Sequence, residues 1–472
     1  MTTADPTPRA RTFPRGFLWG AATSAYQVEG SLDADGRGPS VWDTFVAVPG
    51  AIEGGGDAAV ACDSYRRWHE DVDLVADLGL NAYRFSVAWS RILPEGTGRV
   101  EQRGLDHYER IVDALLARGV TPVVTLNHWD MPQALMADGG WAGRRCVGRF
   151  AELAEAVSGR LGDRVEWWIT QNEPWIVALL GYQLGLHAPG VADLGAAVAA
   201  GHHVLLGHGA AADVLHARPG AKVAAALSLF PCDPATGSEA DQAAAWGSDG
   251  YVNRWYLDPL LAGGYPADMR AHYERALGRS LDTVIRDGDE AAIGGRSDWL
   301  GVNYYTRRVM AAAPVEPGRT FPWQVVEPRD APRTDEGWEI APDSLRDLLL
   351  RLHRDYPGTP LMITENGAVF GDTPTHDGRV HDMRRMAFLH AHVRAVHQAI
   401  AGGADVRGYL HWSLLDNFEW ALGYRPRFGL VHVDYPTGVR TIKDSGHLYA
   451  SIARSGRLPA TPPRSPQEVP TP

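Results

Sequence analysis

The sequence predicts an α/β chain that closes into a single-domain (β/α)8, or TIM, barrel with long loops at its C-terminal face. Three observations carry this expectation. Short apolar or β-branched runs recur eight times along the 472 residues. Longer amphipathic stretches separate most of them, and strand–helix alternation implies a parallel sheet. No Gly-x-Gly-x-x-Gly follows the first run, so the signature of an open, doubly wound sheet is missing.

The strand candidates are residues 17–22, 82–87, 122–126, 165–170, 223–229, 299–304, 361–364 and 406–412. Residues 62–78 read as a helix because Tyr65, Trp68, Val72 and Val75 recur at helical spacing. Residues 105–118, 149–161, 192–217, 344–356 and 383–401 read the same way. The connections 231–298 and 307–360 are too long for one helix and are expected as insertions at the C-terminal face, where loops carry specificity. Within the second, residues 313–342 are rich in Pro, Gly and charge and are expected as an exposed loop. Residues 1–12 and the Pro-rich 458–472 are expected as unstructured tails around one barrel domain, 13–457.

Composition excludes several classes of function. Lys+Arg number 45 against 57 Asp+Glu, a net charge of −12, which disfavours nucleic acid or an anionic membrane surface as partner. No run of about 18 apolar residues offers a transmembrane helix. The first residues hold no apolar stretch, so no signal peptide and a cytoplasmic location are expected. Cys62, Cys146 and Cys232 are odd in number, far apart and without a Cys-x-x-Cys pair. They read as buried thiols of a reducing compartment. Lys222 and Lys443, the only lysines, stand in no Gly-Lys-Ser/Thr setting, so no phosphate-binding loop is present. His202, His203 and His208 cluster, but helical spacing puts 203 and 208 off a common ligand face and no His-Glu-x-x-His occurs. No metal or cofactor is expected.

The 16 tryptophans are many beside 11 Phe and 16 Tyr. Several adjoin polar groups: Trp68-His69, His128-Trp129-Asp130, His411-Trp412 and Glu419-Trp420. Flat faces of sugar rings stack on aromatic rings, and sugar hydroxyls need hydrogen bonds from polar neighbours.

In a barrel of this kind the active site lies at the C-terminal ends of the strands. Unusual polar residues follow the strand candidates closely. Gln27 and Glu29 come after the first, Arg84 lies on the second, and Asn127, His128, Trp129 and Asp130 follow the third. Asn172 and Glu173 follow the fourth, Asn303 and Tyr305 the sixth, and Glu365 and Asn366 the seventh. The eighth runs into Trp412, Asp416, Asn417, Glu419 and Trp420. Glu173 and Glu365 each adjoin an Asn on strands three apart in an eight-membered ring, so they face each other across the barrel mouth. A facing carboxylate pair without a metal cluster points to glycoside hydrolysis. Nearby carboxylates push their pKa values apart, which yields one acid and one anion. Arg84 and Tyr305 are placed to keep one of the pair anionic.

These motifs resemble glycoside hydrolase family 1, the β-glucosidase family, from about Phe13 to Leu458. The carrying segments are 17–30, Tyr83-Arg84-Phe85-Ser86 with Trp89-Ser90-Arg91-Ile92, His128-Trp129-Asp130, Asn172-Glu173-Pro174 and Gly181-Tyr182 with His187-Ala188-Pro189-Gly190. Further on come Asn303-Tyr304-Tyr305, Ile363-Thr364-Glu365-Asn366-Gly367, residues 412–420, Gly423-Tyr424 and Arg427-Phe428-Gly429-Leu430.

The resemblance implies a retaining exo-β-glucosidase that needs no cofactor. Glu173 is then the general acid/base and Glu365 the nucleophile. Asn172 donates to the 2-hydroxyl. Gln27, His128, Trp129, Glu419 and Trp420 cradle the other hydroxyls, and Trp412 forms the stacking floor. Asn303 and Tyr305 complete the expected sugar contacts, with Arg84 in support. Relatives that act on 6-phospho sugars have a small residue and a nearby Lys at the Glu419 region. A carboxylate there implies an unphosphorylated glycone: glucose, or an epimer such as galactose or fucose.

Asn127, Met131 and Gln171 depart from the family pattern, where Tyr, Leu and an apolar residue are usual. The aglycone is open: cellobiose from cellulose breakdown, an aryl glucoside or a glycosylated secondary metabolite. A transglycosylase or a dedicated deglycosylase would use the same constellation. Trp129, Trp412 and Trp420 are assigned to the sugar cradle, and Trp19, Trp68, Trp89, Trp167 and Trp168 to packing. Trp141, Trp175, Trp323 and Trp338 are assigned to the aglycone entrance.

Overall fold

The structure, a computed structural model, describes residues 11–314 and 321–462. Eight parallel strands close into a barrel: β1 (Leu18–Ala22), β2 (Ala82–Ser86), β3 (Thr121–Asn127), β4 (Trp167–Asn172), β5 (Lys222–Ser228), β6 (Leu300–Asn303), β7 (Leu361–Asn366) and β8 (Val406–Trp412). Each pairs with its neighbour in sequence, and β8 returns to β1 through Gly408↔Leu18 to Trp412↔Ala22. The eight expected runs are these strands, each displaced by a few residues at most.

The strands are buried on both faces because helices cover the outside and side chains fill the inside. Ala82, Val123, Ile169, Ala224, Ala226, Met362 and Leu410 form an interior plug closed at one end by Trp299. The outer ring includes α1 (Ser64–Asp77), α2 (Gln102–Ala117), α3 (Arg145–Leu161), α4 (Leu194–His216), α5 (Pro342–Asp355) and α6 (Met383–Ala401). Local chemistry sets their starts. Asp193 caps α4 by accepting from the Ala196 N–H at 2.6 Å, and α5 opens with Pro342, whose fixed φ suits a first turn.

The two long connections lie after β5 and β6, at the C-terminal ends, as expected. The first holds the helices Glu239–Asp249, Trp255–Leu261 and Ala267–Leu277. A small sheet joins both insertions: Cys232–Pro234 pairs in parallel with Arg308–Ala312, which pairs antiparallel with Trp323–Val325. Residues 313–342 are therefore not one open loop. Residues 315–320 lie outside the described residues.

The tail boundaries shift for the same reason of backbone pairing. Arg11–Thr12 forms a strand against Arg457–Leu458, so the expected tail 1–12 ends, and the expected tail 458–472 begins, inside ordered structure. The remainder of both tails, 1–10 and 463–472, lies outside the described residues. Cys62 and Cys146 are buried thiols, whereas Cys232 is only half-buried. No helix among the described residues is long and apolar enough to cross a membrane.

Candidate active site

The ends of β3, β4, β5, β6, β7 and β8 converge on a cavity of about 600 Å3. Its lining includes His128, Trp129, Glu173, Tyr305, Glu365, Trp412, Glu419 and Trp420. Of the remaining expected site residues, Arg84, Asn172, Asn303 and Gln27 are fully buried and brace these from behind.

Arg84 points inward from β2 and bonds to three other strands, its neighbour β3 and, across the barrel, β4 and β7. Its Nη1 donates to Glu365 Oε1 at 2.5 Å and to the Thr364 carbonyl at 3.1 Å. Its Nη2 donates to Asn172 Oδ1 at 2.7 Å, and its Nε to Thr125 Oγ1 at 3.1 Å. A buried guanidinium is stable only when paired and hydrogen-bonded, and Glu365 supplies the counter-charge. Tyr305 Oη donates to the other Glu365 oxygen at 2.7 Å. Glu365 is thus held on both oxygens by groups that favour its anion.

Glu173 has different company. Asn303 Nδ2 donates to its Oε1 at 2.8 Å, and no Lys or Arg among the described residues pairs with it. Burial lifts its pKa to about 8, and the charge on Glu365 adds to the rise. Burial also lifts Glu365 above the ordinary carboxylate value, but Arg84 and Tyr305 oppose it. The direct ion pair with Arg84 places the negative charge on Glu365 and the shared proton on Glu173.

The network also fixes the Asn172 amide. Its Oδ1 accepts from Arg84 and from Asn303 Nδ2 at 3.1 Å, so its Nδ2 donates to His128 Nε2 at 3.0 Å. His128 is kept neutral by burial and by Arg84. Its proton therefore sits on Nδ1, which is buried without a protein partner. One Asn172 N–H and His128 Nδ1–H remain for a ligand.

Opposite them, burial lifts Glu419 to about 8, aided by the Glu365 charge. Gln27 Nε2 donates to Glu419 Oε2 at 3.1 Å, to Asn417 Oδ1 at 3.0 Å and to the Phe418 carbonyl at 2.9 Å. Gln27 is a brace for the Glu419 loop, with its donors committed to protein.

Trp412 and Trp420 flank His128, with ring centroids 5.7 and 6.0 Å away in near-parallel planes. Trp129, Glu173 and Trp420 all adopt positive φ, at 75°, 51° and 53°. Non-glycine residues in this region carry strain that the surrounding packing must hold. A Cβ on Gly367 would overlap the Trp412 carbonyl oxygen, so only glycine lets the ends of β7 and β8 approach this closely.

The aglycone tryptophans divide. Trp175 and Trp338 line the cavity. Trp141 does not: it is packed against Trp89 and Phe150 inside the protein. Trp323 stacks on Phe321 at 4.7 Å within the insertion sheet. Trp42 escaped the sequence reading, although it packs 4.6 Å from Trp420 and holds it in place. Nothing in its local sequence marks it, since Ser40-Val41-Trp42-Asp43 reads as a helix start. Asn127 and Gln171, both departures from the family pattern, are register partners on β3 and β4 and bond to each other at 2.8 Å. They compensate one another.

The histidine cluster holds no metal geometry. His202 bonds Asp289 at 2.9 Å, His203 the Trp141 carbonyl at 3.0 Å and His208 Thr170 at 2.7 Å. No group of three or more candidate ligands occurs among the described residues.

The profile described as Glycosyl hydrolase family 1 matches residues 9–457. The chain belongs to that family. Within family 1 it is 43% identical to Beta-glucosidase A of Thermotoga maritima, covering 95% of this chain and 99% of that one. It is 47% identical to Thermostable beta-glucosidase B of Thermobispora bispora, covering 95% and 92%. The solved family 1 β-glucosidase from Thermotoga maritima superposes with a TM-score of 0.91 at 42% identity, covering 95% and 99%. Family 1 membership makes the chain a glycoside hydrolase on a TIM barrel, as the motifs imply.

Proposed function

We propose that the protein is a retaining exo-β-glucosidase that removes a terminal, unphosphorylated β-glucosyl residue through a covalent glycosyl-enzyme. The observation that carries this is the unequal pair: Arg84 and Tyr305 bond to Glu365 and not to Glu173, which forms no ion pair with a Lys or Arg among the described residues. In the first step a Glu365 oxygen attacks the anomeric carbon, the glycosidic bond breaks, and the Glu173 proton goes to the leaving oxygen. Esterification removes the Glu365 charge. The pKa of Glu173 then falls, and it becomes the base that takes a proton from water. That water attacks the anomeric carbon, the ester bond breaks and Glu365 returns as the anion.

Asn172 Nδ2 is assigned to the 2-hydroxyl, a contact that strengthens at the transition state. His128 Nδ1 and Glu419 are assigned to the remaining hydroxyls, with Trp412 and Trp420 as stacking walls and Trp129 beside them. The apolar outer lining of Ile176, Leu179, Leu186 and Phe230 supports an apolar aglycone. Three thiols outside any disulfide fit action in the cytoplasm.

A panel of nitrophenyl β-glycosides of glucose, galactose, fucose, mannose, xylose and 6-phosphoglucose tests the reading, with NMR of the first anomer released. Glucoside hydrolysis with β-glucose appearing first is expected. An α-anomer as first product, or preference for the 6-phosphate, contradicts it.

A further inference from the structure

Arg308 begins the insertion strand Arg308–Ala312 and lines the cavity on its aglycone side. Its guanidinium lies 4.8 Å from the centre of the Trp175 ring and 4.6 Å from that of Phe230. Those two rings meet edge to face at 5.4 Å. The aromatic faces offset part of the cost of burying the charge. They do not occupy its N–H groups, and no carboxylate among the described residues pairs with it.

Neighbouring arginines show what is missing. Arg307 pairs with Glu339 and Asp233 at 2.9 Å each. Arg425, on the far side, pairs with Glu53 and with Glu336. The groups whose electrostatics reach Arg308 are the Cys232 thiol and the Tyr251 phenol, and burial works against its charge. The other ionisable lining groups are Glu173, Glu336, Glu365, Glu419 and the Tyr305 phenol, together with His128 and His187, which burial keeps neutral. Among the described residues Arg308 is the one lining Lys or Arg, set in a wall of Trp175, Ile176, Leu179 and Phe230.

We propose that Arg308 is an anion-binding position of the aglycone subsite, selecting flat, apolar aglycones that carry a carboxylate. It rests on the β-glucosidase reading above. No hydrogen bond from its side-chain N–H groups occurs among the described residues, which leaves them for two parallel bonds to a carboxylate. The negative charge on Glu365, on the sugar side of the cavity, repels an anion. The aglycone is thereby turned with its carboxylate to Arg308 and its glycosidic oxygen to Glu173.

The test compares the β-glucoside of 4-hydroxycinnamic acid with that of its methyl ester at pH 7. Wild-type protein is expected to favour the acid by about 10-fold in kcat/KM, mainly through KM, and less so as salt rises. Arg308→Met brings the acid-to-ester ratio to about one, and Arg308→Lys restores part of the preference. A wild-type ratio of one or below, or a preference that survives Arg308→Met, overturns the proposal. If neither glucoside is cleaved, the β-glucosidase reading fails. Calorimetric titration of free 4-hydroxycinnamate against its methyl ester then decides on Arg308. Tighter binding of the acid, lost in Arg308→Met, supports the proposal, and equal binding overturns it.

Discussion

Replacing Tyr305 by Phe isolates one hydrogen bond to the proposed nucleophile. The ring keeps its neighbours, since Trp338 and Phe428 lie 5.6 and 6.0 Å from it. Only the Oη donor to Glu365 Oε2 at 2.7 Å is lost. A hydrogen bond to a charged group contributes about 1.5–3 kcal/mol. One pKa unit corresponds to about 1.36 kcal/mol. The bond favours the ionised carboxylate, so removing it raises the pKa of Glu365, by about one to two units. Attack requires the anion, so the acid limb of kcat/KM moves upward by that amount. The assay is kcat/KM for nitrophenyl β-glucoside across pH, read as the lower apparent pKa of the carboxyl pair, with unfolding followed at each pH. An acid limb that stays put, or moves down, refutes the assignment of the negative charge to Glu365.

Four further outcomes follow from the geometry. Activity of the wild type falls as pH rises through about 8, because Glu173 must enter the first step protonated; a pH–rate profile flat to pH 9 contradicts this. Glu173→Gln slows glucosides with poor leaving groups by about 10²–10⁴, but far less a dinitrophenyl glucoside that needs no proton; equal losses on both would remove Glu173 from the acid role. Glu419 binds more protons folded than unfolded between its ordinary pKa and about 8, so its burial costs stability increasingly as pH rises across that window; Glu419→Gln should therefore raise Tm more at pH 8 than at pH 5. Gln171→Leu strands the Asn127 amide in the core and costs about 1–3 kcal/mol, while the double change Asn127→Leu with Gln171→Leu costs less than the two singles combined; additive losses in thermal unfolding would show that the two amides act independently.

Much of the fold is legible because each level of the sequence agrees with the next. Val123, Val124 and Leu126 make an apolar run, and polar residues from Asn127 to Asp130 end it, which places both the strand and its active rim. The same logic finds Glu173 after β4 and Glu365 on β7. Long-range packing is less visible. Trp42 supports Trp420 from 378 positions away, and Lys443 reaches Asp416 and Asp372 at 2.8 and 2.7 Å to hold the loop after β8. Burial alone would lift the Asp416 pKa, yet Lys443 and Arg427 outweigh it and keep the carboxyl below its ordinary value. Neither support lies near its partner in sequence. Trp141 fails in the opposite direction: a tryptophan beside glycines reads as loop, but α4 and α3 close over it. Arg308 is silent in sequence because its meaning comes from what does not pair with it, which only the folded insertions show.

The central claim is that Glu365 forms the covalent bond to the sugar. Treating the protein with 2-deoxy-2-fluoro-β-glucosyl fluoride slows release of the intermediate, and peptide mapping by mass spectrometry locates the label. The account predicts one fluoroglucosyl group per chain, attached at Glu365 in Thr364-Glu365-Asn366-Gly367, and turnover restored as the label is lost. A label on Glu173 or Glu419, or inactivation without any covalent adduct, would contradict it.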